Sequence, residues 1–354
     1  MIRVRVGVIG CGRISTAAHI PILKRMRGVE IAAIADTEER ARRMARRLAP
    51  SASEHATIED VLLKEAIDAV VIALPTALHA SAATMAFDSG VHVYLEKPVA
   101  TRMADTAPLL EAWARSGRIG AIGHNYRFNA LFRRMGESIR AGSIGTPLEI
   151  RTEFAIPSPP SGTWRDSNTT GGGVLLDLAT HHIDLVRFLT GDEVQSVSAV
   201  IDSRRSESDF ATIEMTLGSQ TTASITCSYA DHFNDTVTVR GELGTLLVDR
   251  ARSWDVEFIP PGSRIHRSRK RFPSLNQIRH VVSKLRSPFH EPSFEAALTA
   301  FVDAIRSGSK FTPDLDDGIA ALLVAEAADA SAKSGTPMAI GTPDGYSRTS
   351  PAAQ

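Results

Sequence analysis

Cysteine is almost missing from this chain: Cys11 and Cys227 are the two present, in no CxxC pair and no Cys/His cluster. That excludes a disulfide-stapled scaffold and a zinc-ribbon type of site, predicts no bound metal, and points to a reducing cytoplasm. Long hydrophobic runs are also lacking. No stretch reaches the roughly 18 apolar residues of a spanning helix, and Met1–Val6 leads straight into a strand pattern without a signal region, so the reading is a soluble, non-exported protein with no membrane partner. A surplus of either charge is absent as well, with 40 basic residues against 40 acidic ones. No global field draws the chain to nucleic acid, and any charge argument has to be local. What is present is an ordinary globular composition, 43% hydrophobic and 23% charged, over 354 residues, more than one core commonly serves.

Two patterns divide that length. Up to residue 125, short β-branched runs (Val4–Ile9, Glu30–Ala35, Ala69–Leu74, His92–Leu95, Arg118–Gly123) alternate with helical periodicity, as in Glu38–Leu48. Such a rhythm predicts βαβ units, a parallel sheet and an α/β dinucleotide-binding domain. From 126 to 340 the order changes to a helix near Asn129–Arg140, a strand at Pro147–Phe154, and consecutive strands at Val194–Asp202, Phe210–Leu217, Thr221–Tyr229, Asp235–Arg240 and from Gly244. These predict a second α/β domain on a mainly antiparallel sheet, closed by helices at Ser293–Ser307 and Leu315–Ser334, with 341–354 as a flexible tail. A sheet covered on one side leaves its other face to be buried, and the Val, Ile and Leu of these strands are expected to supply it in a homodimer or homotetramer.

The first chemical signal is Gly10-Cys11-Gly12-Arg13-Ile14-Ser15, where a hydrophobic strand turns into a helix. Gly10 permits a tight turn, and Gly12 lets a pyrophosphate reach backbone N–H groups at the helix start, with Arg13 and Ile14 following. Ser15 stands at the third glycine position and is still small enough for close packing. Asp36, at the end of the second strand, is suited to accept hydrogen bonds from a ribose diol and to repel a 2′-phosphate, so NAD is favoured over NADP. Arg40, one helical turn on, either softens that preference or serves as a solvated partner of Asp36.

Further motifs follow in order: Leu74-Pro75-Thr76 with His79, Glu96-Lys97-Pro98, His124-Asn125-Tyr126-Arg127-Phe128-Asn129, and Gly171-Gly172-Gly173 leading to Asp177, His181 and Asp184. Together with the glycine turn, this set resembles the Gfo/Idh/MocA family of nicotinamide-dependent oxidoreductases over residues 3 to 340. Departures from the family pattern are Leu74 where Thr commonly precedes the proline, Ala130 where Pro often follows Asn129, and Ala179 where Gly often lies between Asp177 and His181; none removes a reactive group. The resemblance implies Lys97, Asp177 and His181 as the catalytic set and places Leu74, Pro75, Thr76, His79 and Glu96 near the dinucleotide. It also implies a small-molecule sugar or polyol substrate, with nucleotide-linked sugars among the family's substrates.

The residues support those roles by their own chemistry. On an α-helix, positions 177, 181 and 184 fall within roughly 60° of one another beside an apolar stripe of Val174, Leu178, Leu185 and Leu189. Oxidising a secondary alcohol requires its hydroxyl proton to leave, and an imidazole with an ordinary pKa near 6.5 suits His181 for accepting it. Lys97, after a parallel strand, can stabilise a developing alkoxide and orient substrate oxygen. Asp177 bonds substrate, holds the imidazole, or merely complements the helix dipole. His182, about 100° from His181, reads as structural or surface, and Asp184 either orients His181 or caps a backbone group. Asn125, Arg127, Trp164 and Arg165 are weaker candidates for walls of a substrate cleft between the domains. Cys11 has no redox role, although a place beside pyrophosphate would expose it to alkylation. Between 264 and 286 lie eight basic residues with no acid from Glu257 to Glu291. They form either a solvated flap or a site that neutralises phosphate on a phosphorylated or nucleotide-linked substrate. Two rival functions remain on sequence grounds: an NAD-dependent glycosidase of the same fold, and a non-catalytic dinucleotide-binding regulator.

Overall fold

The computed structural model describes residues 2–159, 163–167, 170–230, 232–263, 284, 287 and 291–341. The chain divides into two units, one of residues 1–125 with 287–319 and the other of 126–286 with 320–354.

In the first unit, β1 (Val4–Ile9), β2 (Val29–Ala35), β3 (Ser53–His55), β4 (Ala69–Ile72), β5 (His92–Leu95) and β6 (Gly120–Ile122) form one parallel sheet in the order β3-β2-β1-β4-β5-β6. The nearly continuous burial of β1, β4 and β5 is what a parallel sheet covered on both faces demands. The connections carry α1 (Ile20–Arg25), α2 (Glu39–Leu48), α3 (Ile58–Lys64), α4 (His79–Asp88) and α5 (Ala107–Ser116). Strand order reverses beside β1, so the β1 and β4 carboxyl ends open the crevice where ligands of such sheets bind.

The stretch 287–319 departs from the sequence reading, which assigned it to the second domain. It returns to the first unit because α8 (Ser293–Ser307) brings Phe301 edge-on to Tyr94 at 5.6 Å, and Asp314 bridges to Ala121 beyond β6. Burying an aromatic ring is worth about 2–3 kcal/mol, and helical periodicity does not say which sheet receives it.

The second unit holds α6 (Ala130–Arg140), β7 (Pro147–Pro157), α7 (Thr180–Thr190), β8 (Val194–Asp202), β9 (Phe210–Leu217), β10 (Thr222–Ala230), β11 (Asn234–Gly241), β12 (Gly244–Asp249), β13 (Glu257–Ile259) and β14 (Met338–Ala339). The Asn129 side chain caps α6, accepting from Leu131 N–H at 2.9 Å. Eight strands are ordered β13-β12-β11-β7-β10-β9-β8-β14. All pairings are antiparallel except β7 with β10, which run parallel. The last helix, α9 (Leu315–Ser334), gives its first residues to the first unit and packs Ala321, Val324, Ala325 and Ala328 into the core of the second.

Alternation in β9, β10 and β11 sends Ile213, Met215, Ile225, Val237 and Val239 to that core. The opposite face carries Thr212, Thr216, Ser224, Thr226, Ser228, Thr236 and Thr238. The outer face of these three strands is therefore largely hydroxyl-bearing, because a period of two spends their β-branched aliphatics on the core side, whereas Val200 of β8 and Leu148 of β7 remain exposed. The basic segment 264–286 lies outside the described residues apart from Lys284, and so does the tail beyond 341. Among the described residues no helix is long and apolar enough to cross a membrane, and no group of His, Cys, Asp and Glu could hold a metal ion.

Candidate active site

In the first unit, a candidate dinucleotide cradle is built around bare main chain. Gly10 sits at φ +90°, and a Cβ there would lie 2.4 Å from the Ala73 carbonyl oxygen, so neither the turn nor the approach of β4 admits a side chain. Gly12 has open space on its Cβ side, nothing lying within 4 Å. Ser15, in place of the third glycine, is fully buried and donates its hydroxyl to the Gly10 carbonyl at 2.5 Å, tying the turn to the helix. The helix begins with a π-turn, Ser15–His19, before α1. Arg13 is exposed and Ile14 half-buried at this start.

Asp36 braces the same turn. Its Oδ2 accepts from Cys11 N–H at 2.7 Å and its Oδ1 from Glu38 N–H at 2.9 Å. These amide bonds fix the carboxylate at the end of β2 while leaving lone pairs for a diol. Arg40 is exposed and makes no ion pair with Asp36 among the described residues, so its reading as a solvated partner of that carboxylate gives way; Arg42 instead donates to the Asp36 backbone carbonyl at 2.5 Å. Cys11 is buried, and burial pushes its thiol up to about 12, which removes the sensitivity to alkylation expected for it.

His79 ties the neighbouring loops together. Its imidazole lies 2.8 Å from the Leu74 carbonyl and 2.7 Å from that of Pro98, joining the loop that carries Pro75 and Thr76 to the one that carries Lys97. Burial holds the ring below its usual pKa despite those acceptors. Thr76 is buried with its hydroxyl unpartnered. Glu96, at the end of β5, accepts from the fully buried His19 at 2.9 Å. Burial raises the Glu96 carboxyl, but the His19 bond and the nearby charges outweigh it and hold the group below its ordinary range. Gly123 leaves the room this carboxylate needs, since a Cβ there would stand 2.9 Å from Glu96 Oε2. Lys97 follows, half-buried. A bare glycine cradle, a carboxylate at the β2 end and an orphaned buried hydroxyl at Thr76 together fit a dinucleotide.

In the second unit, a set of candidate side chains gathers ahead of and within α7. Gly171 and Gly173 have φ of +92° and +77°, and a Cβ on Gly172 would lie 2.3 Å from the Arg165 carbonyl oxygen, so this turn is closed against its own loop. It leads into another π-turn, Leu175–Ala179, and then α7. The wider turn moves Asp177 away from the ideal α-helical bearing that the sequence reading assumed. Asp177 is buried, and its Oδ2 accepts from Tyr229 Oη at 3.1 Å with Arg165 Nε also 3.1 Å away. Burial, with Asp177 beside it, keeps the Tyr229 hydroxyl protonated as the donor. Arg165 stands over the Trp164 ring at 5.1 Å. His181 is half-buried, stacked on Tyr126 with ring centres 4.8 Å apart and planes at 21°, and edge-on to Phe154 at 6.1 Å.

Several candidates change role here. Arg127 does not face outward: its guanidinium makes a bidentate pair with Asp184 at 2.9 and 2.6 Å, with Asp184 fully buried. Asp184 is held between Arg127 and Arg187, an ion pairing that neither of its expected roles, orienting His181 or capping a backbone group, called for. His182 is fully buried, and burial pulls it down to about 4. Asn125 is buried in the first unit, donating to Ser293 Oγ at 2.7 Å. Val174, Leu178, Leu185 and Leu189 are all buried, as the apolar stripe requires. Sequence reasoning missed Tyr229, Tyr126 and His19. Alternation along β10 puts Tyr229 on the face that bears Asp177, but nothing local names its partner.

Comparison with known proteins gives the family and the fold. Residues 4–124 match the family model described as oxidoreductase family, NAD-binding Rossmann fold, and residues 132–247 match the GFO/IDH/MocA C-terminal domain. Inositol 2-dehydrogenase 3 of Saccharopolyspora erythraea is 30% identical over 359 residues, covering 96% of each chain. A dTDP-3,4-didehydro-2,6-dideoxy-alpha-D-glucose 3-reductase of Actinomadura kijaniata is 26% identical over 86% of this chain and 88% of that protein. Among solved structures, the WlbA dehydrogenase of Bordetella pertussis, in complex with NADH and UDP-GlcNAcA, superposes with a TM-score of 0.84 at 23% identity, over 96% of this chain and 99% of that one.

Proposed function

From the premise that this chain belongs to the Gfo/Idh/MocA family of NAD-binding oxidoreductases, we propose that it interconverts a secondary alcohol and a ketone on a sugar, polyol or nucleotide-linked sugar. The observation that carries the reading is the start of α7, where a buried carboxylate, Asp177, precedes an accessible imidazole, His181. The nicotinamide of bound NAD supplies the hydride acceptor. Gly10, Gly12, Arg13 and Ile14 hold its pyrophosphate, Asp36 its ribose diol, and Leu74, Pro75, Thr76, His79 and Glu96 line its course. His181 takes the hydroxyl proton as the alcohol is oxidised and returns it in the reverse direction. Lys97 orients the substrate oxygen and offsets the negative charge that grows there. Asp177, fixed by Tyr229 and Arg165, presents its remaining lone pairs to a neighbouring substrate hydroxyl.

A nucleotide-linked substrate is favoured by the basic composition of 264–286, and the relatives named above include a dTDP-sugar reductase. A cytoplasmic location accords with two cysteines that are both free and buried. A homodimer or homotetramer built on the eight-stranded sheet would bury threonine and serine together with the exposed Val200 and Leu148, and equilibrium sedimentation at micromolar concentration decides it.

The deciding experiment is to follow the ultraviolet absorbance of reduced nicotinamide with NAD while screening polyols, free sugars and nucleotide-linked sugars. Net reduction with at least one of them is expected. A glycosidase would cleave its substrate with no net reduction, and a regulator would bind NAD and turn over nothing.

A further inference from the structure

Behind His181 lies a buried polar cluster that the proposed chemistry leaves unused. Tyr126 presents its ring to the imidazole at 4.8 Å and its hydroxyl to Asp235, donating to Oδ2 at 2.6 Å. Arg250 Nε donates to the same oxygen at 2.5 Å, and its guanidinium stands 4.9 Å from the Tyr126 ring centre. Asp235 is wholly buried, and its other oxygen, Oδ1, has no hydrogen-bond partner; the nearest imidazole nitrogen, His182 Nε2, is 3.6 Å away. A tyrosine merely filling space needs no carboxylate at its para position, and burying Asp235 and Arg250 to supply one is costly.

We propose that Tyr126, anchored through its hydroxyl on the Asp235–Arg250 pair, is the positioning residue of His181: its ring fixes the plane of the imidazole and favours the protonated form. The anchor keeps the phenol ring from sliding or turning, so the imidazole stacked on it is held in one orientation. When His181 gains a proton, the cation sits against an electron-rich face, a contact of the cation–π kind. Arg250 does not cancel that attraction, since its charge is balanced on Asp235. The other ionisable groups around this helix are already engaged. Asp177 is bonded to Tyr229 and faces Arg165, Asp184 is paired with Arg127 and Arg187, and His182 is held neutral by burial.

The inference rests on His181 being the proton acceptor, and the test separates the two. In the full-length protein with NAD, the His181 ring is titrated by NMR in the wild type and in Tyr126→Leu. Loss of the ring is expected to lower the His181 pKa by about half a unit. The acid limb of kcat/KM should move to lower pH by the same amount, kcat should fall ~10-fold, and NAD affinity should hold within about twofold. A purely structural tyrosine would lower Tm and leave the His181 titration in place, and that result overturns the proposal. Should Tyr126→Leu fail to fold, Tyr126→Phe and Asp235→Asn carry the test. Each is expected to lose ~3-fold in kcat and the double variant no more than either, because both cut one anchor; losses that multiply overturn the proposal. If instead His181→Ala retains near-normal turnover, the proton-acceptor reading falls, while the NMR titration still reports whether Tyr126 governs the ring.

Discussion

Two glycine turns in this chain each lead into a π-turn and then a helix, and their surroundings are opposite. The turn at Gly10 is empty. Gly12 faces open space, Ser15 folds back on Gly10, and Asp36 holds the Cys11 amide, so main chain is left bare there. The turn at Gly171 is full. Gly172 lies against the Arg165 carbonyl, and the π-turn that follows presents Asp177 with Tyr229 and Arg165 already upon it. A pyrophosphate needs amides that no side chain shields, whereas proton transfer needs side chains that cannot swing. One local device, glycine before a widened first turn, thus serves either end, and the surroundings decide which.

The sharpest way to separate the two turns is to remove His181. His181→Ala is expected to cost at least ~10²-fold in turnover with NAD affinity unchanged, and Lys97→Ala the same; near-normal turnover at all pH values would hand the proton to Asp177. Arg127→Ala comes next. Because it takes the bidentate guanidinium from the fully buried Asp184 and leaves Arg187 at 3.5 Å, it should destabilise the protein by about 3 kcal/mol in urea unfolding, with KM little changed. A large rise in KM with stability intact would restore Arg127 to the substrate.

A third prediction concerns pH. Burial holds His182 near about 4, below the ordinary imidazole value, so the unfolded chain binds its proton first. Stability should therefore fall as pH drops from roughly 6.5 toward about 4, by about 3 kcal/mol from this one ring. The stability gap between wild type and His182→Leu should narrow on acidification. A constant gap would mean that the ring is not kept neutral.

In the first turn the effects are smaller and fall on binding. Gly12→Ala should weaken NAD by ~10-fold with Tm nearly unmoved, since its Cβ meets only the space left for the ligand. A large loss of Tm would show that the cradle is packed rather than open. The smallest change is expected for Asp36→Ala, which should narrow a preference for NAD over NADP by less than about tenfold while also loosening the Cys11 amide. An unchanged cofactor ratio would point to another determinant.

Much of this was legible in the residues alone. The βαβ rhythm, the strands from Val194 to Asp249 and the span of α8 and α9 follow from periods of 2 and 3.6, which are local properties. The glycine turns, Asp36, Lys97, Asp177 and His181 could be singled out because their chemistry is carried by residue type and short spacing. Arg127 and Asp184 could not be assigned in that way. They lie 57 residues apart, and as separate letters each suits a substrate cleft as well as it suits an ion pair.

Sequence by itself determined the two-part α/β plan, the dinucleotide turn and the candidate reactive groups around the start of α7, because each is encoded within a few neighbouring residues. Tertiary structure decided the rest. It returned 287–319 to the first unit, turned the aliphatic side chains of β9 to β11 inward, buried His182, paired Arg127 with Asp184, and set Tyr229 on Asp177 and Tyr126 on His181. The reason is physical. A buried charge or hydroxyl is stabilised by whatever partner the folded backbone brings within about 3 Å, and that partner can be 109 residues away, as Asp235 is from Tyr126.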